Sequence, residues 1–455
     1  MRLVSVAIVF IGWVLSAASQ VPILTFEQFL QRVERFHPTV LAANYEPDIA
    51  EAEIRSALGR FDPLLSLNYD SKLKSGSDKA TTVEGSIELP LDMMFGPKLK
   101  ADYRRGLGFQ LDPENRTSSS GEATVGIALP VFQGIFTDAR RNALRKALIR
   151  PDIARAQFRI DRNTLIRSAA LRYWDWCEAI EQRRVVDTLV QIARNRLAFV
   201  ARRASFGENA KIDSVEAFQE VLRREGDRIR AERIEQQAFV DMNAFVWDDQ
   251  QPVQLRQFDS EPLPDSTSTP LVLDSALQIA LSTRPEILRA SLMIETFRFD
   301  SSLASEFMRP FVEVNAGLVN YDVSNPGTLD YKVGLKIHQP LLFRQAAAQV
   351  QTTSIAVDRA ELTLSLIQRM VEIDAQNAII SYQKAQERVR IARSELLAAH
   401  QMVDAEQAKF IAGDSDLLRV NIRERLLAES LQRYVSARSD VVRAKVILSW
   451  AIGVI

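Results

Sequence analysis

Between Arg344 and Ile411 the chain runs without a single glycine or proline, and between Gly134 and Ala204 only Pro151 interrupts a helical pattern. Helices of that length reach about 100 Å at ~1.5 Å per residue, several times the diameter of a small globular domain. In the second stretch Val350, Val357, Leu364, Val371, Ala378, Ala385, Ala392 and Ala399 recur at every seventh position. A sustained seven-residue column implies left-handed coiling against a neighbouring helix. The alanines in its later half let that neighbour approach closely. Pro151, preceded by Arg150, marks a place where the first long helix is expected to kink or break.

Composition agrees with long helices and removes several classes of function. The 455 residues include only 17 glycines, about half the average usage. Lysine plus arginine number 57 against 58 aspartate plus glutamate, so no basic excess exists for a polyphosphate, and nucleic acid is not an expected partner. The lone Cys177 supports neither a disulfide framework nor a cysteine-based zinc cluster. His37, His338 and His400 fall in three different predicted elements, without a phosphate loop, nucleophile elbow or metal-ligand spacing. The chain is therefore expected to be no enzyme and to need no cofactor or metal.

The N-terminus carries Met1-Arg2, an apolar run from Leu3 to Leu15, and then Ser16-Ala17-Ala18-Ser19-Gln20. This pattern predicts a secretory signal peptide over residues 1–19, cleaved after Ser19. The run is shorter than the ~20 residues of a spanning helix, and no cysteine follows the site to indicate a lipoprotein. Beyond it no stretch of about 18 apolar residues occurs, so no helical membrane span is expected. An exported chain of this kind is soluble, peripheral or a β-barrel.

The rest reads as a duplicated unit. Around Pro38 and Pro285, Leu24, Phe26, Leu30, Leu41 and Ala43 match Leu271, Leu273, Leu277, Leu288 and Ala290, and Pro63 matches Pro310 without a gap. Each unit then runs through alternating segments, a long helix, a glycine and a second helix ending at Trp247 or Trp450. The expected organisation is a first repeat over 20–247, a linker rich in proline, serine and threonine over 248–270, and a second repeat over 271–455. Strands are expected at about 63–134 and 310–343, with turns between the long helices at about 205–213 and 411–417.

Within the strand segments the period is two. Leu65, Leu67, Tyr69 and Leu73 alternate with Ser66, Asn68, Asp70 and Lys72; Val125, Ile127, Leu129 and Val131 alternate with Thr124, Gly126 and Ala128. In the second unit Val312, Val314, Ala316 and Leu318, then Tyr331, Val333, Leu335 and Ile337, alternate with polar or small residues. One apolar and one polar face over about ten residues has the dimension of a barrel strand in an outer membrane; alternation alone equally fits an ordinary half-buried hairpin, and export without a spanning helix favours the barrel. Two further alternating runs, near Val83–Leu89 and Leu99–Phe109, read as an elaborated hairpin near the external end. That leaves four wall strands per chain, too few to close a lumen alone. Phe61, Tyr69, Phe109, Phe132, Phe311, Tyr321, Tyr331 and Phe343 are candidates for interfacial girdles or, equally, for plain core.

Over essentially its whole mature length the chain resembles the TolC-type outer-membrane efflux proteins. The resemblance rests on the paired openings "LTFEQFLQRVERFHPTVLAA" and "LVLDSALQIALSTRPEILRA", the joints at Pro63 and Pro310, the phrases "VGIALPVFQG" and "VGLKIHQPLLF", and the turns "FGENAKID" and "FIAGDSDLL". It implies a mainly α fold with membrane β: a homotrimer whose long helices form a periplasmic α-helical tunnel and whose twelve strands, four per chain, form a barrel in outer-membrane lipid. It further implies an exit duct for efflux or type I secretion, docked to a periplasmic adaptor protein and an inner-membrane pump. A periplasmic coiled-coil scaffold without transport is the alternative, separable by whether the chain fractionates with outer membranes.

The two turns hold the candidate site residues. Gly207 and Gly413 read as helix C-caps, and Asp213 and Asp416 as N-caps accepting backbone N–H groups. The resemblance makes these turns the periplasmic tip, where the adaptor docks and the tunnel narrows. Asp213 lies six residues after Gly207, where family members often carry an acid, but Arg419 and Ile422 hold the matching second-unit positions. An acidic constriction would then draw on Asp213, Asp414 or Asp416.

Overall fold

The structure, a computed structural model, describes residues 23–74, 77–108, 111–112, 115–206, 210–253, 259–264 and 273–454. The expected signal peptide, Phe109, Gly207 and part of the expected linker lie outside them. No described helix is long and apolar enough to cross a membrane. The chain divides into two units, each discontinuous in sequence.

One unit takes in residues 1–38, 166–269 and 381–446. Here a two-residue strand, β1 (Ile23–Leu24), lies parallel to β8 (Asp259–Ser260), and a two-residue antiparallel pair joins β6 (Trp247–Asp248) to β7 (Gln251–Pro252). Helix α1 (Phe26–Phe36) opens with a reciprocal capping box, Thr25 and Gln28 each bonding the other's backbone N–H at 3.3 Å. Its buried Phe29 stacks on Tyr173 at 5.3 Å between ring centroids, and Phe26 lies against both Tyr173 and Trp174. The fully buried Tyr173 hydroxyl donates to the Leu24 carbonyl at 2.6 Å, so this aromatic core leaves that polar group paired.

Four helical segments continue this unit: the C-terminal part of α4 (Ala139–Ser205), α5 (Lys211–Asn243), and parts of α8 (Arg344–Ala412) and α9 (Leu417–Ala451). The seven-residue column of α8 is its least exposed stripe: Val371, Ala378, Ala385 and Ala392 are buried, and the other members are half-buried. Helix α4 continues through Pro151 as a single helix, so of the kink or break expected there the break does not occur. It also starts later than Gly134, because Asp138 caps it, accepting the N–H groups of Arg140 and Arg141 at 2.8 and 3.1 Å. Helix α5 stops at Asn243, four residues short of the expected end at Trp247.

The second unit takes in residues 39–165, 270–380 and 447–455. Pro38 opens α2 (Pro38–Ala43) and Pro285 opens α7 (Pro285–Glu306), the position where a missing N–H costs nothing. Helix α3 (Glu46–Leu58) and α6 (Leu273–Thr283) complete its short helices. Pro63 and Pro310 each stand directly before a strand, β2 (Leu64–Lys74) and β9 (Phe311–Asn320). The remaining strands are β3 (Ser77–Pro90), β4 (Lys98–Leu107), β5 (Glu122–Pro130) and β10 (Asp330–His338).

All six form one antiparallel sheet in the order β10-β9-β5-β4-β3-β2. The expected four strands and the expected extra hairpin are thus parts of one sheet. The two extra alternating runs are not an appendage; they are β3 and β4, paired residue by residue between β2 and β5. Beneath the sheet, Asp300 of α7 accepts from Asn142 at 2.9 Å and Lys146 at 2.8 Å of α4, and the buried Glu306 accepts the Gly134 N–H at 2.9 Å. These bonds tie the strand-to-helix joint to α7.

Candidate functional site: a two-faced sheet and a capped turn

The register lines the sheet's side chains into rows that cross every strand. One row reads Leu65, Ile87, Ala101, Val125, Leu318 and Tyr331, all apolar or aromatic; the neighbouring row on the other face reads Ser66, Ser86, Asp102, Thr124, Val319 and Asp330, polar but for Val319. Because side chains alternate along each strand, the sheet has one largely apolar and one largely polar face, with Arg105 an exception on the first and Val319 and Phe311 on the second. On the polar face opposite charges stand directly across from one another: Glu84 and Glu122 flank Arg104, Glu88 faces Lys100, and Glu313 faces Lys336. Arg104 reaches Glu122 at 2.8 Å, and Lys98 reaches Glu88 at 2.6 Å. Cross-strand pairs of this kind stabilise a sheet by roughly 0.2–1 kcal/mol each. A polar groove of about 610 Å³ lies on this face, lined among others by Asn68, Glu84, Lys100, Arg104, Glu313 and Lys332.

On the apolar face Leu67, Val333 and Leu335 are largely exposed, as are the ring-bearing Tyr69 and Tyr331. Tyr321 and Phe132 are also exposed, each just beyond the C-terminal end of its strand and so at opposite rims of the antiparallel pair. Phe61 and Phe311 instead lie under cations, Arg140 and Lys336 respectively, each about 6.0 Å from the ring. Gly126 and Gly317 face each other across β5 and β9, so close that a Cβ on either would meet opposing backbone within 3 Å. Only glycine fits that approach.

The turn between α8 and α9 is built from the predicted residues. Gly413 has φ +84°, its N–H bonds the Phe410 carbonyl at 3.2 Å, and the Asp414 N–H bonds the Lys409 carbonyl at 2.9 Å. That double bond pattern is a Schellman cap. Asp416 then caps α9, its carboxylate accepting the Arg419 N–H at 2.8 Å, with the Arg419 guanidinium 3.5 Å away. Asp414, Asp416 and Arg419 are all exposed. Asp213 does not play the matching part: Ala210 occupies the N-cap of α5 with no side-chain cap bond, and Asp213 sits in the first turn. A carboxylate there still favours the positive end of the helix dipole.

Behind the Gly413 turn lies a polar cluster that sequence reasoning did not single out. The buried Glu406 accepts from Ser415 and faces Arg423 at 3.8 Å. Gln407 donates to the buried Glu424 at 3.2 Å, and Arg196 of α4 pairs with Glu424 and Asn421. Burial pulls the Arg196 guanidinium down to about 10, against the raising field of Glu220. Helical spacing alone places these residues on inward stripes. Their pairing depends on how the helices meet, which no local pattern encodes.

Comparison with known proteins fits this geometry. The family model described as "Outer membrane efflux protein" matches residues 29–245 and 276–454. No curated protein matches the sequence. Among solved structures, the outer-membrane channel OprN superposes with a TM-score of 0.70 at 14% identity, covering 94% of this chain and 89% of that one. The outer membrane protein VceC of Vibrio cholerae gives 0.66 at 16% identity, over 94% and 95%. The open state of the Neisseria gonorrhoeae MtrE outer membrane channel gives 0.67 at 13% identity, over 94% and 88%. These likenesses carry the fold, while the family match spans most of the sequence, and on it the chain belongs to the outer membrane efflux protein family.

Proposed function

We propose that this outer-membrane efflux protein acts as a homotrimeric passive exit duct, receiving cargo from an inner-membrane pump through a periplasmic adaptor protein. The observation that carries the reading is the open sheet. It has one largely apolar face suited to lipid and one largely polar face suited to water, yet among the described residues neither of its two edges has a further strand partner. In lipid an open sheet edge leaves backbone groups unsatisfied, so the edges must close against further copies.

The helices support the same assembly. Ile355, Leu362, Leu366, Ile373 and Ile380 of α8 are exposed, as are Ile212, Val215, Phe218, Leu222 and Ile229 of α5. Their spacings fit helical stripes, and apolar stripes of this extent call for neighbouring helices. In the trimer they would pack into the wall of a periplasmic tunnel, with the turns at 205–213 and 411–417 as its tip. Adaptor docking there would engage Gly207, Asp213, Gly413, Asp414, Asp416 and Arg419. The capped Gly413 turn offers a backbone of defined shape, and its exposed carboxylates offer charge to a partner or a passing cation.

Two measurements test this. Native mass measurement of the protein extracted from outer membranes should give three chains; recovery with the soluble periplasmic fraction would reject the duct. In planar bilayers the protein should conduct, and replacing Asp213, Asp414 and Asp416 together by alanine should lower cation selectivity. Unchanged conductance and selectivity would remove those carboxylates from the constriction.

A further inference from the structure

We infer that this chain closes a barrel of eighteen strands, three copies of six, in place of the twelve implied by four strands per chain. The inference rests on the trimeric closure proposed above and concerns the size of the ring. The hairpin β3–β4 is a full member of the wall. Thr81–Pro90 pair with Leu107–Lys98, and Lys98–Arg104 pair in turn with Ala128–Glu122, without a register break. The apolar row from Leu65 to Tyr331 and the charge pairs Glu84–Arg104–Glu122 both run through these strands, so removing them would interrupt both faces. A hairpin lying outside the wall has no reason to keep lipid-side and water-side alternation in phase with its neighbours.

The two edges, without a further partner among the described residues, suit a second copy of the same chain. With an even number of antiparallel strands, β2 and β10 run in opposite directions. A rotation that sets β10 of one copy beside β2 of the next therefore makes an antiparallel pair, and three such heterologous contacts close. The side chains agree. Leu65, Leu67 and Tyr69 on β2 would continue the apolar face of Tyr331, Val333, Leu335 and Ile337 on β10, all exposed in the single chain. On the polar face β2 carries Asn68, Asp70 and Lys72, so Asp70 would offer a carboxylate, and Asn68 a neutral acceptor, to Lys332 or Lys336 of β10. Barrel diameter grows roughly linearly with strand number. At a spacing of ~4.8 Å and a tilt of ~40°, the backbone ring widens from about 24 Å for twelve strands to about 36 Å for eighteen.

Electron cryomicroscopy of the full-length protein in lipid nanodiscs decides the matter. A threefold ring of eighteen strands, about 1.5 times as wide as a twelve-stranded one, is expected. A threefold ring of twelve strands with residues 77–107 outside the wall would overturn this inference and leave the duct intact; a species without a closed ring would overturn the duct as well. Deleting Ser75–Gly121 behind a short turn should shrink the ring by about a third. Should that variant fail to assemble, cysteine pairs offer a second route in a Cys177→Ser background. Asn68→Cys combined with cysteine at Lys332, Gly334 or Lys336 should give a disulfide-linked trimer in one of the three combinations. Absence of a crosslink in all three would count against the β2–β10 junction.

Discussion

The residue before Pro38 and the residue before Pro285 occupy matching places in the sequence, and each packs against a tryptophan from the far end of its half of the chain. His37 stacks on Phe245 at 6.0 Å and meets the edge of Trp247 at 6.1 Å. Arg284 lies over Trp450 at 4.3 Å, donates to the Ala451 carbonyl at 3.3 Å, and is paired with Glu286 at 2.9 Å and Asp374 at 3.7 Å. Burial holds the His37 imidazole below its ordinary pKa, favouring the neutral ring. The same joint is thus made once by neutral aromatic packing and once by a buried cation with every side of its fork occupied. A shared backbone plan leaves the chemistry of its fastening free, provided each solution leaves no charge stranded.

The largest test of that contrast is Arg284→Ala. Arg284 is only 5% exposed, and its removal unpairs two partly exposed carboxylates, leaves the Ala451 carbonyl without this donor and empties the face of Trp450, for an expected loss of about 2 kcal/mol of apparent stability. Arg284→Lys should recover less than half, since an ammonium cannot bond both carboxylates and a carbonyl in one plane. Urea titration followed by tryptophan fluorescence reads both; a loss no greater than that of His37→Ala would erase the contrast.

The two interhelical turns carry the comparison to smaller effects. Gly413 is required for its backbone, as nothing lies within 4 Å of where a Cβ would stand. Gly413→Ala should therefore cost about 1 kcal/mol from the left-handed conformation alone, and Gly413→Asn less. Asp416→Ala removes an N-cap at a cost of about 1 kcal/mol, while Asp213→Ala forgoes a dipole interaction of about 0.5 kcal/mol. Equal losses at Asp213 and Asp416 in the same titration would mean that the capping difference is not what distinguishes the turns.

The smallest expected effect is a pH dependence at His37. Its folded pKa lies below the ordinary 6.5, so in the window beneath 6.5 the unfolded chain binds a proton that the folded chain refuses. Stability contributed by the neutral ring is present above that window and declines as pH falls through it towards the folded pKa. Comparing urea midpoints at pH 7.5 and 5.5, the wild type should lose more than His37→Gln. An identical loss in both would place the pH dependence elsewhere.

Much of the architecture was legible in the residues. Absence of glycine and proline from Arg344 to Ala412 suffices for a continuous α8, and the column through Val371, Ala378 and Ala385 named its inward stripe, because helical periodicity is local. Alternation likewise marked every strand of the sheet. Gly413 and Asp416 were readable as caps because capping is decided within one turn of backbone. The opposite outcome at Asp213 was not, since Ala210 took the cap position despite offering no acceptor.

What the sequence determined by itself is therefore periodicity: which segments are helical, which alternate, and which residues share a face. The number of strands in the chain's sheet and their order needed the tertiary structure, since pairing of β3 and β4 between β2 and β5 is a matter of long-range backbone hydrogen bonds that alternation does not specify. The same holds for the partners of Arg284 and for the buried cluster of Glu406, Glu424 and Arg196. A charged side chain can reach any of several opposite charges, and only the packing of helices distant in sequence selects which one lies within bonding distance.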